Sequence, residues 1–149
     1  MRRMVKRTEG SVAVELGLVA PILLIVTLGV VDFGWAFVEM TATNAAAQAG
    51  AGYALTNGFN AAGIAAAVTA GTSLGGITAT PAPHETCGCP SSSGVTASQP
   101  TTPPCTGKCT GGQTAGAYAV VSATASFTPL LNWPLSPKSF SSEVAVRLQ

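Results

Sequence analysis

The feature that most constrains this chain is an apolar run from Val12 to Val31, interrupted only by Glu15. As an α-helix, a run of this length spans about 30 Å, the thickness of one bilayer hydrocarbon core. Asp32 ends the run, and aromatic residues follow where a membrane–water interface would place them: Phe33, Trp35 and Phe37. The rest of the sequence holds too few large apolar residues to bury such a helix. The run therefore predicts a single transmembrane helix in contact with membrane lipid.

Basic residues are concentrated before this helix. Four of the seven Lys and Arg residues lie in the first seven positions: Arg2, Arg3, Lys6 and Arg7. A short basic cluster is also found in nucleic-acid-binding arms, but this one directly precedes a lipid-compatible run, so we expect no nucleic-acid partner. The positive-inside rule then predicts a cytoplasmic N-terminus and an extracytoplasmic C-terminal region.

Glu15 is the unusual residue of the run, because a carboxylate inside a membrane is costly and usually functional. One interpretation is a plain signal anchor in which Glu15 lies near the cytoplasmic end and extends toward water. Another is a signal peptide cut before Gly50, since "AAAQAG" offers a small-residue cleavage pattern. The apolar stretch is longer than the usual signal-peptide core of about 7–15 residues, which weakens that second interpretation.

A third interpretation uses every feature of the N-terminus. The stretch "KRTEGSVAVELGLVAPILLIV" resembles a type IV prepilin processing site, with a basic leader, a glycine, four residues, a glutamate and an apolar helix. The longer stretch "GSVAVELGLVAPILLIVTLGVVDFGWAF" resembles the N-terminal signature of TadE-like proteins, the minor pseudopilins of tight-adherence (Tad) pili. The matching positions are Val14-Glu15, Pro21, the run to Val31, and Asp32-Phe33. Two positions depart from the pattern, because Leu16 stands where an aromatic is usual and Gly17 where alanine is common.

The resemblance covers about the first 55 residues and implies specific roles. A prepilin peptidase would cut after Gly10, making Ser11 the new N-terminus and Glu15 the fifth residue. Glu15 would then take part in peptidase recognition and meet the N-terminal ammonium of a neighbouring subunit. The implied partners are other pilins and pseudopilins and the inner-membrane pilus assembly machinery. The implied location is the bacterial inner membrane, with the C-terminal domain in the periplasm, or the extracellular pilus.

Pro21 and Gly17 form a second candidate assembly feature. Pro21 removes one backbone donor and leaves the Gly17 carbonyl without its helical partner. Glycine is also a poor helix former. The segment is therefore a local weak point, which either loosens on assembly, as in related filaments, or is a simple kink.

The sequence after the membrane run predicts more helix. From Glu39 to about Leu55 it is dominated by alanine, which favours an outward continuation of the first helix. Small residues there would allow close approach, either by other helices or by the protein's own sheet: Ala45, Ala46, Ala49, Gly50 and Ala51. "TNGFN" indicates a turn, after which Asn60 can cap a short helix, Ala61 to Ala70, closed by Gly71.

Residues 71–117 are rich in Gly, Ser, Thr and Pro, which predicts a loop rather than a packed core. They contain all four cysteines: Cys87, Cys89, Cys105 and Cys109. A zinc site with His84 is one interpretation, but the spacing is unlike the usual Cys-x-x-Cys pairs and the compartment is oxidising. We therefore predict two disulfides and no metal. Three pairings are possible; we expect bonds from 87/89 to 105/109 rather than within either local pair.

The C-terminal residues predict two strands. Val121, Ala123, Ala125 and Phe127 alternate to one face, and Val144, Val146 and Leu148 do the same in a second segment. A proline-punctuated connector with Trp133, predicted to be a packing or interface residue, separates them, so we expect an antiparallel pair resting on the outer half of the long helix. The sequence contains one histidine and no phosphate-loop or metal-helix motif, so we expect neither catalytic residues nor a cofactor.

The predicted organisation has five parts: leader 1–10, transmembrane helix 11–38, extracytoplasmic helical region 39–70, cysteine loop 71–117 and strands 118–149. The predicted fold class is α+β and pilin-like. A long N-terminal transmembrane helix extends into a periplasmic helix, followed by a short second helix and a small antiparallel sheet. The predicted function is a minor pseudopilin in Tad pilus assembly or adhesion. An uncleaved single-pass envelope protein with a disulfide-stabilised outer domain and a secreted protein with a signal peptide are the alternatives.

Overall fold

The computed structural model describes residues 9–91, 94–98, 101–130 and 137–148. The basic leader residues Arg2, Arg3, Lys6 and Arg7, and Trp133 in the connector, lie outside the described residues. The architecture is α+β, as predicted: two helices, α1 and α2, are followed by a five-stranded sheet.

Helix α1 runs without interruption from Glu9 to Asn57, which confirms the predicted continuation beyond the apolar run. Its 49 residues make a rod of about 74 Å at the α-helical rise per residue. Pro21 lies inside the helix. The helix ends where the turn was predicted, and Gly58 there has φ +75°, a left-handed conformation that favours glycine.

Helix α2 spans Ala61–Ala70, also as predicted. The side chain of Asn60 accepts a hydrogen bond of 3.0 Å from the Gly63 amide and so satisfies one free donor at the helix start. Gly71 follows the helix with an ordinary right-handed backbone. Its lack of a side chain serves contact instead, because a Cβ there would lie 2.6 Å from the Ala49 Cβ of α1.

The sheet is built around one long central strand, β4 (Gly116–Ser126). Strand β5 (Ser139–Arg147) pairs antiparallel along one edge of β4, from Tyr118 opposite Arg147 to Ser126 opposite Ser139. The other edge of β4 pairs with β2 (His84–Ser91) and, further along, with the short β1 (Ile77–Thr78). Strand β3 (Gly94–Ala97) extends the sheet beyond β2. The predicted antiparallel pair is therefore confirmed, with three further strands beside it.

The region predicted as a loop, residues 71–117, differs from that expectation. Strands β1, β2 and β3 lie within it, and β4 begins at its end. The reason is that β2 forms its backbone hydrogen bonds with β4, which lies about 30 residues away in sequence. The local composition of β2 therefore does not need to favour a strand.

The core lies between the outer part of α1, helix α2 and one face of the sheet. Its buried members are Ala46, Ala47, Ala54, Ile64, Val68, Ile77, Ala119, Val121, Ala123 and Ala125. Val144, Val146 and Leu148 of the β5 segment are half-buried against it, while Glu143, Ala145 and Arg147 are exposed. The alternation predicted for the second strand is therefore confirmed. In β4, Val121, Ala123 and Ala125 are buried in the core as predicted, but its opposite face is buried as well. The sheet rests on α1 as expected.

Candidate assembly helix and disulfide-braced head

Two halves of α1 have opposite surroundings. In the exposed half (residues 12–40), large apolar side chains face outward along the whole length. None of its most apolar stretch is buried inside the protein, and the helix is long and apolar enough to cross a membrane. In the head half (residues 43–57), one face is buried against α2 and the sheet. A buried core helix of a soluble protein would not leave its most apolar stretch uncovered.

The predicted processing residues lie at the start of α1. The helix begins at Glu9, so Gly10 and Ser11 belong to its first turn, slightly earlier than the boundary at residue 11 predicted from the sequence. Glu15 follows about one turn after Ser11, which puts these two positions on the same side of the helix. The Glu15 side chain is exposed, so its carboxylate is accessible to a partner outside the chain.

The second candidate feature, around Gly17 and Pro21, is also unburied. A Cβ built on Gly17 would meet nothing within 4 Å, so packing inside this chain does not require glycine there. The helix continues through Pro21, although proline cannot donate the hydrogen bond that the Gly17 carbonyl would otherwise accept. The weak backbone point is thus present inside a continuous helix.

The small residues of the head half pack against the protein's own fold. Ala46, Ala47 and Ala51 are buried, and Ala49 is half-buried. A Cβ on Gly50 would lie 2.5 Å from Val68 Cγ2 and 2.8 Å from Val121 Cγ1. Of the two uses predicted for this surface, the structure shows packing against α2 and the sheet. Ala45 is exposed on another side of the helix.

The cysteines form two disulfides, Cys87–Cys105 and Cys89–Cys109, with Cα–Cα distances of 5.4 and 5.6 Å. The predicted bonds between the two local pairs are confirmed, and the structure selects one of the two possible arrangements. All four thiols are used, so the zinc interpretation has no thiolate ligands left. Within the described residues, no group of three or more His, Cys, Asp or Glu side chains could hold a metal ion.

These disulfides fasten the segment after residue 101 to strand β2. Backbone hydrogen bonds run beside them, from the Cys87 amide to the Thr101 carbonyl and from the Ala115 amide to the Gly107 carbonyl, at 2.9 and 2.8 Å. In the turn between Gly107 and Ala115, Gly111 and Gly112 have φ values of +119° and +82°, conformations that residues with L side chains rarely adopt. Covalent bonds and a glycine turn thus hold a segment with few buried apolar side chains.

A hydrogen bond between Leu130 and Asp32 joins the head to the exposed half of α1. The amide of Leu130, just past the end of β4, donates a hydrogen bond of 2.8 Å to Oδ1 of Asp32. A cleft of about 270 Å³ lies beside this bond, with Val31, Trp35 and Val38 on the helix and Thr128 and Leu130 on the head. From the sequence, Asp32 is predicted to end the apolar run and, with Phe33, to match the TadE-like signature, but no contact with the head is predicted for it. No local pattern signals a bond between residues 98 positions apart.

Together these features describe a pilin-like α+β fold. A long apolar helix that is exposed in its first half and packed against a small α+β head in its second half is the pilin-like arrangement predicted from the sequence. Residues 10–51 match the model of the TadE-like protein family, which confirms the predicted resemblance for that segment. The comparisons with curated proteins and with solved structures give no significant match.

Proposed function

We propose that the protein is a minor pseudopilin of a Tad-type pilus, anchored in the bacterial inner membrane with its head in the periplasm. The observation that carries this proposal is the TadE-like match over residues 10–51, on a helix whose exposed half is long enough to cross a membrane. The four basic residues before the helix favour an N-terminus in the cytoplasm.

Processing is the first step of the proposed function. A prepilin peptidase hydrolyses the Gly10–Ser11 peptide bond and frees the α-amino group of Ser11. The Glu15 carboxylate is exposed on the helix, so it can be read by the peptidase and later pair with the freed ammonium group of a neighbouring subunit. Such pairing lowers the cost of holding a carboxylate in an apolar environment.

Assembly follows through the exposed half of α1. Its large apolar side chains contact lipid before assembly and the helices of other pilins afterwards. The inner-membrane pilus assembly machinery is the proposed partner for that transfer. The head, outside the membrane, contacts other pilus components or the surface that the pilus binds.

The buried face of the head half weighs against the signal-peptide alternative. Cleavage before Gly50 would separate Thr43, Ala46 and Ala47 from the head that buries them. A mature protein that begins at Gly50 would lose part of its core, whereas a cut after Gly10 leaves the whole head half attached.

The deciding experiment is mass spectrometry of the mature N-terminus, from cells with and without their prepilin peptidase. We expect a start at Ser11 that disappears without the peptidase, and unprocessed protein in the Gly10→Ala and Glu15→Ala variants. Gly29→Ala and Glu39→Ala are matched controls on the same helix and should be cut normally. An intact Met1 in cells with the peptidase would leave the uncleaved anchor, and a start at Gly50 would leave the secreted protein.

A further inference from the structure

The bond between Asp32 and Leu130 fixes part of the head at a defined height along α1. Asp32 is the first residue after the apolar run, so in the proposed membrane orientation it lies at the outer edge of the hydrocarbon core. The headgroup layer beyond that edge is about 5–7 Å thick, which corresponds to the next three to five helical residues at about 1.5 Å each. Phe33 and Trp35 lie in this layer, and both side chains are exposed.

Leu130 is held in the same layer, because its amide is hydrogen-bonded to the Asp32 side chain. Its own side chain is 70% exposed, although it is a large apolar residue of the head. The neighbouring cleft is lined mainly by apolar atoms of Val31, Trp35 and Val38. An exposed leucine, an apolar cleft and exposed aromatic residues at one height match the apolar side chains that sit in a membrane interface.

The role of Asp32 follows from the same geometry. A backbone amide brought to the edge of a bilayer has less water to bond, and leaving it unpaired there is costly. The Asp32 carboxylate accepts that amide in a charge-assisted hydrogen bond, so the Leu130 backbone can approach the lipid without an unsatisfied donor.

We propose that the segment after strand β4, at Thr128–Leu130, is a membrane-contact surface, and that Asp32 positions it on the outer leaflet of the lipid bilayer. The head then lies on the membrane surface with Leu130 in the headgroup layer. This inference rests on the proposed membrane insertion of α1, but not on processing or pilus assembly.

The test is fluorescence quenching by lipids brominated on the acyl chain near the headgroup. The full-length, disulfide-bonded protein is placed in nanodiscs at one chain per disc, after Trp35→Phe and Trp133→Phe remove the native tryptophans. A single tryptophan is then introduced at three exposed leucines: Leu24, Leu130 and Leu55, which are 63%, 70% and 57% exposed. Leu24 reports on the span, and Leu55 lies about 35 Å beyond Asp32 along the helix.

We expect strong quenching for Leu24→Trp, clear quenching for Leu130→Trp, and several-fold weaker quenching for Leu55→Trp. Adding Asp32→Ala should reduce the quenching at position 130 toward that at 55. Adding Glu39→Ala, which removes a carboxylate two turns further along α1, should leave it unchanged. Quantification of free thiols in each variant shows whether both disulfides have formed, and so separates a moved loop from a misfolded head.

Quenching at position 130 no stronger than at 55, with position 24 strongly quenched, would overturn the contact surface and leave the proposed transmembrane helix standing. Absence of quenching at position 24 would overturn both. Quenching at 130 that survives Asp32→Ala unchanged would overturn the positioning role. If the fluorescence of the Leu130→Trp protein is not quenched by bromine in discs that hold one chain, but changes in discs loaded with two chains, the surface belongs to another subunit and the lipid contact is overturned.

Discussion

The two halves of α1 share one backbone geometry and differ in the size of the side chains they present. The exposed half carries leucine, isoleucine, valine and aromatic residues, while the buried face of the head half carries alanine, glycine and threonine. Facing lipid, a helix needs bulk to cover its backbone with apolar surface. Facing a second helix and a sheet at close range, it needs small side chains that let the other elements approach. Apolar composition alone therefore does not distinguish the membrane part of a helix from its packed part, whereas side-chain size does.

The comparison is tested most strongly by removing the same side chain from both environments. Ile64 of α2 is fully buried against the head half of α1, and Ile25 in the exposed half is 53% exposed. We expect Ile64→Ala to lower the free energy of unfolding of the head by about 2–5 kcal/mol, because it leaves a cavity. Ile25→Ala should leave the stability of the head unchanged. Urea unfolding in detergent, followed by near-ultraviolet circular dichroism, measures both, and equal losses would contradict the division.

The disulfide-bonded side of the head offers the next largest effect. The bonds close loops with sequence separations of 18 and 20 residues, and these loops overlap almost completely. Replacing all four cysteines by alanine should cost about 3 kcal/mol, the chain-entropy value for one loop of this length. Removing one bond should cost less than half of that, because the other still closes nearly the same loop.

Between the two single-bond variants, the Cys87/Cys105 pair should be the more costly to replace, because Cys87 is fully buried and Cys89 only half-buried. Urea titration of the three variants gives the ranking. Equal losses for both pairs that add up to the loss of the quadruple variant would contradict the shared-loop argument.

Glycine provides a sharper form of the comparison, since one methyl group is added in each half. Gly50→Ala should destabilise the head by about 1–3 kcal/mol through overpacking against Val68 and Val121. The better helix propensity of alanine offsets this by about 1 kcal/mol. Gly29→Ala has open space around the new Cβ and should cost nothing. Thermal unfolding of the two variants measures the difference in stability. A Gly50→Ala protein more stable than the unsubstituted protein would contradict the overpacking argument, because it would mean that the helices can move apart without a loss of stability.

The smallest expected effect lies at the start of α2. Asn60→Ala removes the side-chain acceptor for the Gly63 amide and should cost about 1 kcal/mol. Asn60→Asp keeps an acceptor at the same position and should restore most of the stability. The same unfolding measurement applies, and an alanine variant as stable as the aspartate variant would show that the cap contributes little.

The helices and the two C-terminal strands could be predicted from sequence because their signals are local. The alanine-rich stretch, the Asn60 cap and the alternation around Val121 and Val144 each lie within a few neighbouring residues. Strand β2 could not be predicted in this way, because its sequence, "HETCGCPS", contains glycine and proline and its partner strand is distant. Its pairing with β4 depends on long-range contacts that composition does not record.

The candidate site divides in the same manner. The predicted cysteine partners followed from the near absence of apolar residues around them, and the TadE-like resemblance followed from a contiguous motif. The bond from Leu130 to Asp32 could not be predicted, because Asp32 stands out only as the end of the apolar run and as part of the TadE-like motif, and no nearby residue indicates Leu130 as its partner. The burial of Tyr118, Val120 and Ser122 was also missed; these residues lie on the second face of the central strand, where the Ser122 hydroxyl donates a hydrogen bond to the Glu143 side chain of β5.

The unbroken course of α1 has a geometric consequence for how the head is aimed. Each helical residue turns the chain by about 100° around the helix axis. The angle around this axis between Glu15 and the head is therefore set by the number of residues that separate them. One residue inserted between Val38 and Thr43 would rotate the head by about 100° relative to the side that carries Glu15, and four residues would bring it back to within about 40° of its original orientation. The number of residues along α1 therefore determines in which direction the head points, relative to the partner that the Glu15 end contacts.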